Sequence, residues 1–449
     1  MTATRFPPVR DCPDRAVLGR PFVEPATSAV RPHPDKAISQ RATILGAIAQ
    51  GTSRISNLAD CADTRANLAA LRELGCVISQ EPGEIRIVGR GWEEIAGQGG
   101  VVDAGNSATS SRLLLALLAG TRSRFEVRGN PALSARPMSW LVEPLRGMGA
   151  DLTYLDTAGH LPIRVVGRQL HGARLQVEVD SAQPVSALLL AGLAADGPTV
   201  INRRVPARDH TERLLRWTGV SVTETPDRLD VIPRRPAAFD LRVPGDPSSA
   251  AVIVALHLAS PQAETELRVD DVGLNPRRLG FFRMLRQMGI PVSWETTDAD
   301  GPEPIGVVRV RAGEFSGGEV SGRELIQAGI DELPLLAALA TAGRHPLVVR
   351  DAAELREKDT DRIATTVALL RSFGGVAEGT EDGFVVHPST LSPPGRVRFP
   401  ADHRLVFAGC VLAFRSGGQI ELSGLAAASI SHPRLFEDLA RFVPIKELV

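Results

Sequence analysis

The chain is poor in the residues on which several classes of protein depend. Aromatic residues make up 4% of its 449 residues, too few for the stacking platforms on which proteins hold nucleobases. The formal net charge is −1, so no overall positive field attracts nucleic acid or a membrane surface. We therefore expect no partner of either kind.

Cysteines and long apolar runs are also scarce. The four cysteines, Cys12, Cys61, Cys76 and Cys410, have neither the spacing of a metal site nor the density of a disulfide framework. No run approaches the roughly 18 apolar residues of a membrane span. The N-terminal residues lack the apolar core of a signal peptide. These absences predict a cytoplasmic protein without a metal site.

A repeated word organises the chain. Leu-Arg-x-x-Gly follows a stretch of helical periodicity and precedes a short β-like run at 71–75, 145–149, 215–219, 285–289 and 370–374. We interpret the glycine as the left-handed residue that ends a helix and releases the chain into a strand. Units of about 70 residues are too long for a solenoid and long enough for a small α/β unit. Chance recurrence of a common junction is the alternative.

The midpoint of the chain has a signal of its own. The turn cluster Val-Pro-Gly-Asp-Pro at 243–247 precedes an apolar helix, with three copies of the unit before it and three after it. The last copy is a helix from Arg434 to Phe442 without its glycine. We predict two lobes, one of residues 34–244 and one of 1–33 with 245–449, and an active site in the cleft between them.

Charged and hydroxyl residues stand at the starts of apolar, small-residue helices. Five such segments occur, at 33–41, 103–112, 180–187, 354–362 and 402–404. In the second segment we expect Arg112 to begin the helix. Helix N-termini present free N–H groups and a partial positive charge, so the shared pattern predicts a cleft that binds anions. Taken singly, the first four segments are also compatible with a helix cap or with a solvated surface charge run, whereas an arginine directly before an apolar helix, as at 402–404, argues against plain solvent exposure.

In order and spacing these segments resemble the EPSP synthase family (3-phosphoshikimate 1-carboxyvinyltransferases), from Lys36 to Phe442. The matching words include Lys-x-x-Ser-x-Arg at 36–41, Gly-Asn-x-x-Thr-x-x-Arg at 105–112, Ala-Arg-Pro-Met at 135–138, Ser-Ala-Gln at 181–183, Gly-Asp-x-Ser-Ser-Ala at 245–250, Ile-Asp-Glu-x-Pro at 330–334, Glu-Leu-Arg-x-Lys-x-x-Asp-Arg at 354–362 and Asp-His-Arg at 402–404. The words at 208–212 and 274–278 resemble the glyphosate-tolerant bacterial class.

The resemblance implies a fold and a reaction. The fold is a two-lobed, inside-out α/β barrel of six βαβαββ units, three in each lobe. The reaction transfers the carboxyvinyl group of phosphoenolpyruvate to the 5-hydroxyl of shikimate 3-phosphate through a tetrahedral adduct, with release of phosphate and without a cofactor. It needs a proton for the enol carbon, a base for the hydroxyl and cations around phosphate and carboxylate. We expect a monomer or weak oligomer.

The resemblance also implies a role for each matching residue. Phosphoenolpyruvate would be bound by Lys36, Asn106, Ala108, Arg136, Gln183, Arg362 and Arg404. The phosphorylated shikimate would be bound by Arg41, Ser181, Ala182, Gln183, Arg208, Asp331 and Lys358. The catalytic residues would be Lys36, Asp331 as the base for the 5-hydroxyl, and Asp359 in proton transfer.

Several positions depart from the pattern of the family. Ala37 replaces a serine, Asp359 replaces a glutamate, Ala182 replaces a second serine, and Ile430 stands where some members have a lysine. Ala108 replaces a glycine, and its methyl group would crowd glyphosate, so we predict tolerance of that inhibitor.

These departures, with Gln40 in place of asparagine, leave an alternative open. The chain could be a divergent paralogue that acts on shikimate or a related cyclic acid, by elimination or carboxyvinyl transfer, in specialised metabolism. The sister family that acts on a UDP-sugar uses a loop cysteine, and no cysteine lies between Cys76 and Cys410. A non-catalytic scaffold is disfavoured because half-buried charges are costly to keep without a ligand.

Overall fold

The computed structural model describes residues 12–19, 29–95, 99–260 and 265–448, so much of the proline-rich start of the chain lies outside the described residues. The chain divides into two compact units. The first unit holds residues 34–244 and 299–303, and the second unit holds the described residues of 1–33, 245–298 and 304–449. The expected boundaries differ from this division at Ala299–Glu303.

Helices and strands alternate along the described residues of both units. The α-helices are α1 (Lys36–Ile48), α2 (Ala62–Glu73), α3 (Gly91–Glu94), α4 (Ala108–Ala119), α5 (Pro131–Ser134), α6 (Ser139–Gly147), α7 (Ala182–Leu193), α8 (His210–Trp217), α9 (Pro247–Ala259), α10 (Gly280–Gln287), α11 (Arg323–Gly329), α12 (Leu333–Ala340), α13 (Arg362–Ser372), α14 (His403–Ser416) and α15 (Leu435–Leu439). Short 3₁₀ helices span Pro276–Arg278, Ile330–Glu332, Ala353–Glu357 and Leu425–Ile430.

The strands are short, as the turn spacing in the sequence predicts. They are β1 (Arg15–Leu18), β2 (Gly51–Ser56), β3 (Val77–Glu81), β4 (Glu84–Gly89), β5 (Gly100–Asp103), β6 (Arg124–Arg128), β7 (Asp151–Tyr154), β8 (Ile163–Val166), β9 (Arg174–Val177), β10 (Thr199–Arg203), β11 (Val222–Thr225), β12 (Arg228–Val231), β13 (Asp240–Arg242), β14 (Leu267–Gly273), β15 (Val292–Asp298), β16 (Ile305–Val310), β17 (Gly318–Val320), β18 (Leu347–Val349), β19 (Val376–Gly379), β20 (Phe384–His387), β21 (Arg396–Arg398), β22 (Ile420–Ser423) and β23 (Ile445–Glu447).

The repeated Leu-Arg-x-x-Gly word forms the same junction at each of its five positions. The glycines all have positive φ: Gly75, Gly149, Gly219, Gly289 and Gly374. In the first copy Gly75 N donates to Arg72 O at 2.9 Å and Cys76 N donates to Leu71 O at 3.0 Å, the hydrogen bonds of a Schellman motif. The prediction that glycine ends each helix in the left-handed conformation is confirmed.

Within the described residues each unit contains three sheets. The sheets of the first unit have the strand orders β13-β2-β4-β3, β5-β6-β8-β7 and β9-β10-β12-β11. In each, the first pair is parallel and the next two pairs are antiparallel. This recurring order is what duplication of one α/β unit produces.

The sheets of the second unit vary the same theme. Their orders are β14-β16-β15, β17-β18-β20-β19 and β21-β22-β1-β23. The last of these combines β1 and β23, from the two ends of the described chain. The predicted helix from Arg434 to Phe442 is shorter than expected, because α15 covers only Leu435–Leu439.

The apolar helices lie inside their units. Every residue of α4 from Ser110 to Ala119 is buried, as the Leu-rich run predicts, and α7, α9, α12 and α14 are buried along most of their length. A helix that is apolar all round belongs in a core. No helix among the described residues is both long and apolar enough to cross a membrane. Two polar residues of the predicted site, Gln183 and Arg404, lie in the first turns of α7 and α14.

Candidate functional site

In the first unit, α1 begins at the first predicted site residue. Asp35 caps the helix by accepting a hydrogen bond from Ile38 N at 2.8 Å. Lys36 is the first helical residue, and its Nζ lies 2.8 Å from Asp63 Oδ2. The lysine side chain is 18% exposed, so its ammonium remains within reach of solvent. The sequence did not identify Asp63 as its partner.

Arg41 lies in the second turn of α1 and is buried. Its Nε donates to Thr211 Oγ1 at 2.8 Å and its Nη2 donates to Ser186 Oγ at 3.0 Å. Thr211 also donates to Ser186 at 2.8 Å, so the two hydroxyls and the guanidinium form one network. The network joins α1, α7 and α8.

Two predicted residues flank the N-cap of α4. Ser107 is the N-cap, Ala108 is the first helical residue and is buried, and Asn106 is half-buried in the preceding turn. Arg112 was expected to begin this helix, but the helix begins at Ala108 and Arg112 follows one turn later. The apolar run from Leu113 is preceded by serines and a threonine that have helical conformation here because Ser107 caps them.

The start of α7 faces this helix. Ser181 is the N-cap and accepts a hydrogen bond from Gln183 N at 3.4 Å, and Ala182 is the first helical residue. Gln183 accepts a hydrogen bond from Arg112 and donates to Thr109 Oγ1 at 3.4 Å. The guanidinium of Arg112 also lies 4.5 Å from the centre of the Trp140 ring, a cation–π contact.

Two further predicted arginines lie in loops of the first unit. Arg136 follows α5, and Arg208 lies between β10 and α8. Both are half-buried.

The first turn of α8 lies beside a cluster of buried charges that the sequence did not identify. Glu212 is completely buried, and burial together with nearby Asp209 raises its pKa to about 7. Arg203 Nη1 lies 3.6 Å from Glu212 Oε1, and Arg203 Nη2 lies 2.5 Å from Glu224 Oε1. Two residues earlier in the same turn, His210 Nδ1 lies 2.6 Å from Glu303 Oε1, with both side chains buried.

In the second unit, the predicted residue Arg362 lies among three aspartates. It is the first residue of α13 and is buried. It donates to Asp402 Oδ2 at 2.8 Å and to Asp331 Oδ1 at 2.9 Å, and its Nη2 lies 3.5 Å from Asp359 Oδ2. Burial alone would lower the pKa of Arg362, but the three carboxylates outweigh it and raise the pKa.

Asp402 both caps a helix and forms an ion pair in this cluster. It caps α14 by accepting a hydrogen bond from Arg404 N at 2.9 Å, and it pairs with Arg362. Burial would raise the pKa of Asp402, but the Arg362 guanidinium lowers it below its ordinary value. Asp402, Asp359 and His403 offer ligand atoms within 4.8 Å of one another, although a cation there would compete with Arg362.

Arg404 belongs to a line of buried polar groups. Its Nη1 donates to Glu332 Oε1 at 3.0 Å, and Glu332 also accepts a hydrogen bond from Ser248 Oγ. Ser248 in turn accepts from Arg278 Nη2 at 3.0 Å, and the same nitrogen lies 2.8 Å from Asp246 Oδ1. The line connects the starts of α9, α12 and α14.

Arg404 has further N–H donors besides the one that bonds to Glu332. Its Nη2 lies 3.6 Å from Asp331 Oδ2, longer than a hydrogen bond. Its buried Nε has no hydrogen-bond partner among the described residues. A buried guanidinium with a spare donor is a natural receptor for an anion.

Lys358, predicted to bind the phosphorylated shikimate, pairs with Glu354 four residues earlier in the chain, and its side chain is 18% exposed. The Glu354–Arg362 segment contains the 3₁₀ helix Ala353–Glu357 and ends at the N-cap Asp361 of α13.

Comparisons with known proteins cover both units. The model of the family described as EPSP synthase (3-phosphoshikimate 1-carboxyvinyltransferase) matches residues 23–439. A 3-phosphoshikimate 1-carboxyvinyltransferase of Lactiplantibacillus plantarum is 40% identical over 412 residues, which are 91% of this chain and 94% of the relative. One of Herpetosiphon aurantiacus is 36% identical over 414 residues, 91% of this chain and 95% of the relative.

Solved structures agree with these relatives. An EPSP synthase of Acinetobacter baumannii superposes with a TM-score of 0.84 at 30% identity, over 96% of this chain and 99% of that chain. The enolpyruvyl transferase NikO of Streptomyces tendae superposes with a TM-score of 0.73 at 17% identity, over 97% of this chain and 99% of that chain, a likeness that concerns the fold alone. The predicted α/β fold of enolpyruvyl transferase type is confirmed.

Proposed function

Since this chain belongs to the EPSP synthase family, we propose that it transfers the carboxyvinyl group of phosphoenolpyruvate to the 5-hydroxyl of shikimate 3-phosphate and releases phosphate. The oxygen of the 5-hydroxyl adds to C2 of phosphoenolpyruvate while C3 takes a proton. Loss of a proton from C3 and departure of phosphate from the tetrahedral adduct then restore the double bond.

The observation that carries the proposal is the cationic site around Arg404. A phosphoenol acid brings a carboxylate and a phosphate, and Arg404 combines a hydrogen bond to Glu332 with a spare Nε donor. Arg362 lies in the same cluster through Asp331. Fixed guanidinium groups can stabilise the charge that develops on the carboxylate and phosphate without reorganising during the reaction.

The first unit supplies the other groups for phosphoenolpyruvate. Asn106 and Ala108 flank the N-cap of α4, and a helix N-terminus favours an anion. Lys36 and the half-buried Arg136 add positive charge, and Gln183 is held by Arg112. The proposal assigns these residues to phosphoenolpyruvate.

The phosphorylated shikimate is assigned to the starts of α1 and α7 and to two loops. Arg41 receives the carboxylate of the ring, with its guanidinium oriented by Thr211 and Ser186. The phosphate is assigned to Ser181, Ala182, Gln183 and Arg208, and Lys358 is assigned to the same substrate.

Proton transfer is assigned to carboxylates of the second unit. Asp331 is the base for the 5-hydroxyl, and its pairing with Arg362 at 2.9 Å fixes the direction of its carboxylate. Asp359 exchanges the proton at C3 of phosphoenolpyruvate, and Lys36 is the third residue assigned to catalysis. Both aspartates are partly exposed, at 15% and 20%, so substrate can reach them.

The direct test is phosphate release from phosphoenolpyruvate and shikimate 3-phosphate by the purified protein. We expect turnover that needs both substrates. Absence of release, together with binding of unphosphorylated shikimate, would instead support the paralogue acting on a related cyclic acid.

A matched pair of variants tests the assignment of Arg404. Arg404→Lys keeps the charge but loses the planar fork, so the KM for phosphoenolpyruvate should rise about 10-fold or more. Arg415→Lys makes the same change in the last turn of the same helix and should leave KM within about 2-fold. Equal behaviour of the two variants would remove Arg404 from the site.

The remaining assignments concern the cell and an inhibitor. We propose a cytoplasmic protein because all four cysteines are buried and none forms a disulfide, as expected in a reducing compartment. Glyphosate tolerance is proposed from the buried methyl group of Ala108 at the start of α4.

A further inference from the structure

Gln40 connects α1 to the first turn of α4. It lies in the second turn of α1 and its side chain is fully buried. Its Nε2 lies 2.7 Å from Ser107 Oγ and 2.8 Å from Ser110 Oγ. One amide therefore contacts the residue before this turn and the residue at its end.

The two serines define the position of the turn. Ser107 Oγ caps the helix by accepting a hydrogen bond from Ser110 N at 3.2 Å. The same oxygen accepts from Gln40, so the cap and the interhelical contact share one atom. Ala108 and Thr109 lie between the serines and can move only if this arrangement breaks.

Gln40 also lowers the stability of the fold, so selection for stability alone does not explain its presence. Gln40 Oε1 is buried and has no hydrogen-bond partner among the described residues. A buried acceptor without a partner is destabilising. Methionine has a similar length and would fill the same space without that acceptor, although it would leave the serines without their donor.

We infer that Gln40 is a positioning residue for the phosphoenolpyruvate subsite, an inference that rests on the proposed function. It holds the first turn of α4, and with it the N–H groups and the Ala108 methyl group that face the ligand. A helix N-terminus stabilises an anion only along the direction of its free N–H groups. A methyl group excludes a larger competitor only if the backbone that carries it cannot retreat.

Steady-state kinetics of Gln40→Met and Gln40→Asn test this inference. Gln40→Met removes the amide and keeps the length of the side chain. Gln40→Asn keeps the amide but shortens the side chain by one methylene group. We expect both to raise the KM for phosphoenolpyruvate about 3- to 10-fold, as for the loss of one or two hydrogen bonds. The KM for shikimate 3-phosphate should stay within about 2-fold.

Thr43→Val is the matched control. Thr43 is buried on the same helix, one turn from Gln40, and its hydroxyl bonds to Asn67 Nδ2 at 2.7 Å and to carbonyls of its own helix. Loss of that hydroxyl should lower thermal stability but leave both KM values unchanged. An increase in the KM for phosphoenolpyruvate equal to that of Gln40→Met would show general loosening of α1 and overturn the inference.

Two further measurements distinguish a positioning role of Gln40 from a role in packing alone. Because Gln40 acts through the serines, Ser110→Ala and Gln40→Met should have effects on this KM that do not add in the double variant. The ratio of the glyphosate Ki to the KM for phosphoenolpyruvate should also fall in Gln40→Met. Additive effects and an unchanged ratio would each contradict the inference.

The outcomes distinguish this inference from the proposed function. If the unchanged protein releases no phosphate, the function itself fails. If it turns over both substrates and folded Gln40→Met and Gln40→Asn keep both KM values, the function stands and the role of Gln40 is refuted. Equal increases in both KM values would also refute it.

Discussion

Glu212 makes the stability of the first unit depend on pH. Its carboxyl group is completely buried, and burial and Asp209 raise its pKa from an ordinary 4.5 to about 7. The folded state therefore favours the protonated form. That contribution to stability is complete below pH 4.5 and is lost as the pH rises through the folded-state value of about 7.

The size of the effect follows from these two values. Each pKa unit corresponds to about 1.4 kcal/mol, so the full contribution is roughly 3 kcal/mol. Proton linkage places roughly 2.5 kcal/mol of that loss between pH 5 and pH 8. Glu212→Gln keeps the shape of the neutral acid and does not titrate. Arg203 keeps its pairing with Glu224 in this variant.

Urea unfolding at pH 5 and pH 8 measures this difference. Trp92, Trp140 and Trp217 lie in the first unit, whereas Trp294 lies in the second, so tryptophan fluorescence reports mainly on the unit that contains Glu212. Glu212→Gln should gain roughly 2.5 kcal/mol relative to the unchanged protein between the two pH values.

The exposed Glu73 at the end of α2 provides the control. Glu73→Gln should show a difference from the unchanged protein that is the same at both pH values. If Glu212→Gln behaves in that way too, Glu212 is ionised in the folded state at neutral pH and the reasoning is wrong.

Three further predictions concern catalysis, inhibition and the fold. Asp359→Asn should lower kcat by about 100-fold or more with little change in either KM, because it removes a proton-transfer group; a loss confined to KM would assign Asp359 to binding. Ala108→Gly should lower the Ki for glyphosate about 10-fold or more, and an unchanged Ki would exclude the methyl group as the cause of tolerance. Gly75 has φ of +80° in open space, so Gly75→Ala should cost about 1 to 2 kcal/mol in urea unfolding. Gly289→Ala should cost more, because its Cβ would lie 2.7 Å from the carbonyl oxygen of Glu314; equal costs would show that the backbone there yields.

The repeat could be predicted because its cause is local. A helix that ends in Leu-Arg-x-x-Gly has its C-terminal hydrogen bonds made within six consecutive residues, as in 71–76. The strand that follows each copy was predicted for the same reason. The helix start at Asp402 could be predicted for a similar reason, because an N-cap side chain accepts its hydrogen bond from a backbone N–H two or three residues later.

The start of α4 shows where local signals mislead. The sequence placed the helix start near Arg112, because the apolar run begins there. Ser107 caps the helix one turn earlier, and Gln40, from 67 residues before it, bonds to that cap. A contact between residues so far apart in the chain does not alter the pattern of apolar and polar residues in either segment, so the sequence did not indicate it.

The sequence by itself determined the α/β class, the repeated helix–glycine–strand junctions and which polar residues stand at helix starts, because each depends on residues close together in the chain. Only the tertiary structure decided how those residues are paired. Thr211 and Ser186 hold Arg41, and Glu332 holds Arg404. Such partners come from different repeats, and a buried guanidinium can donate to any oxygen that packing brings within hydrogen-bond distance.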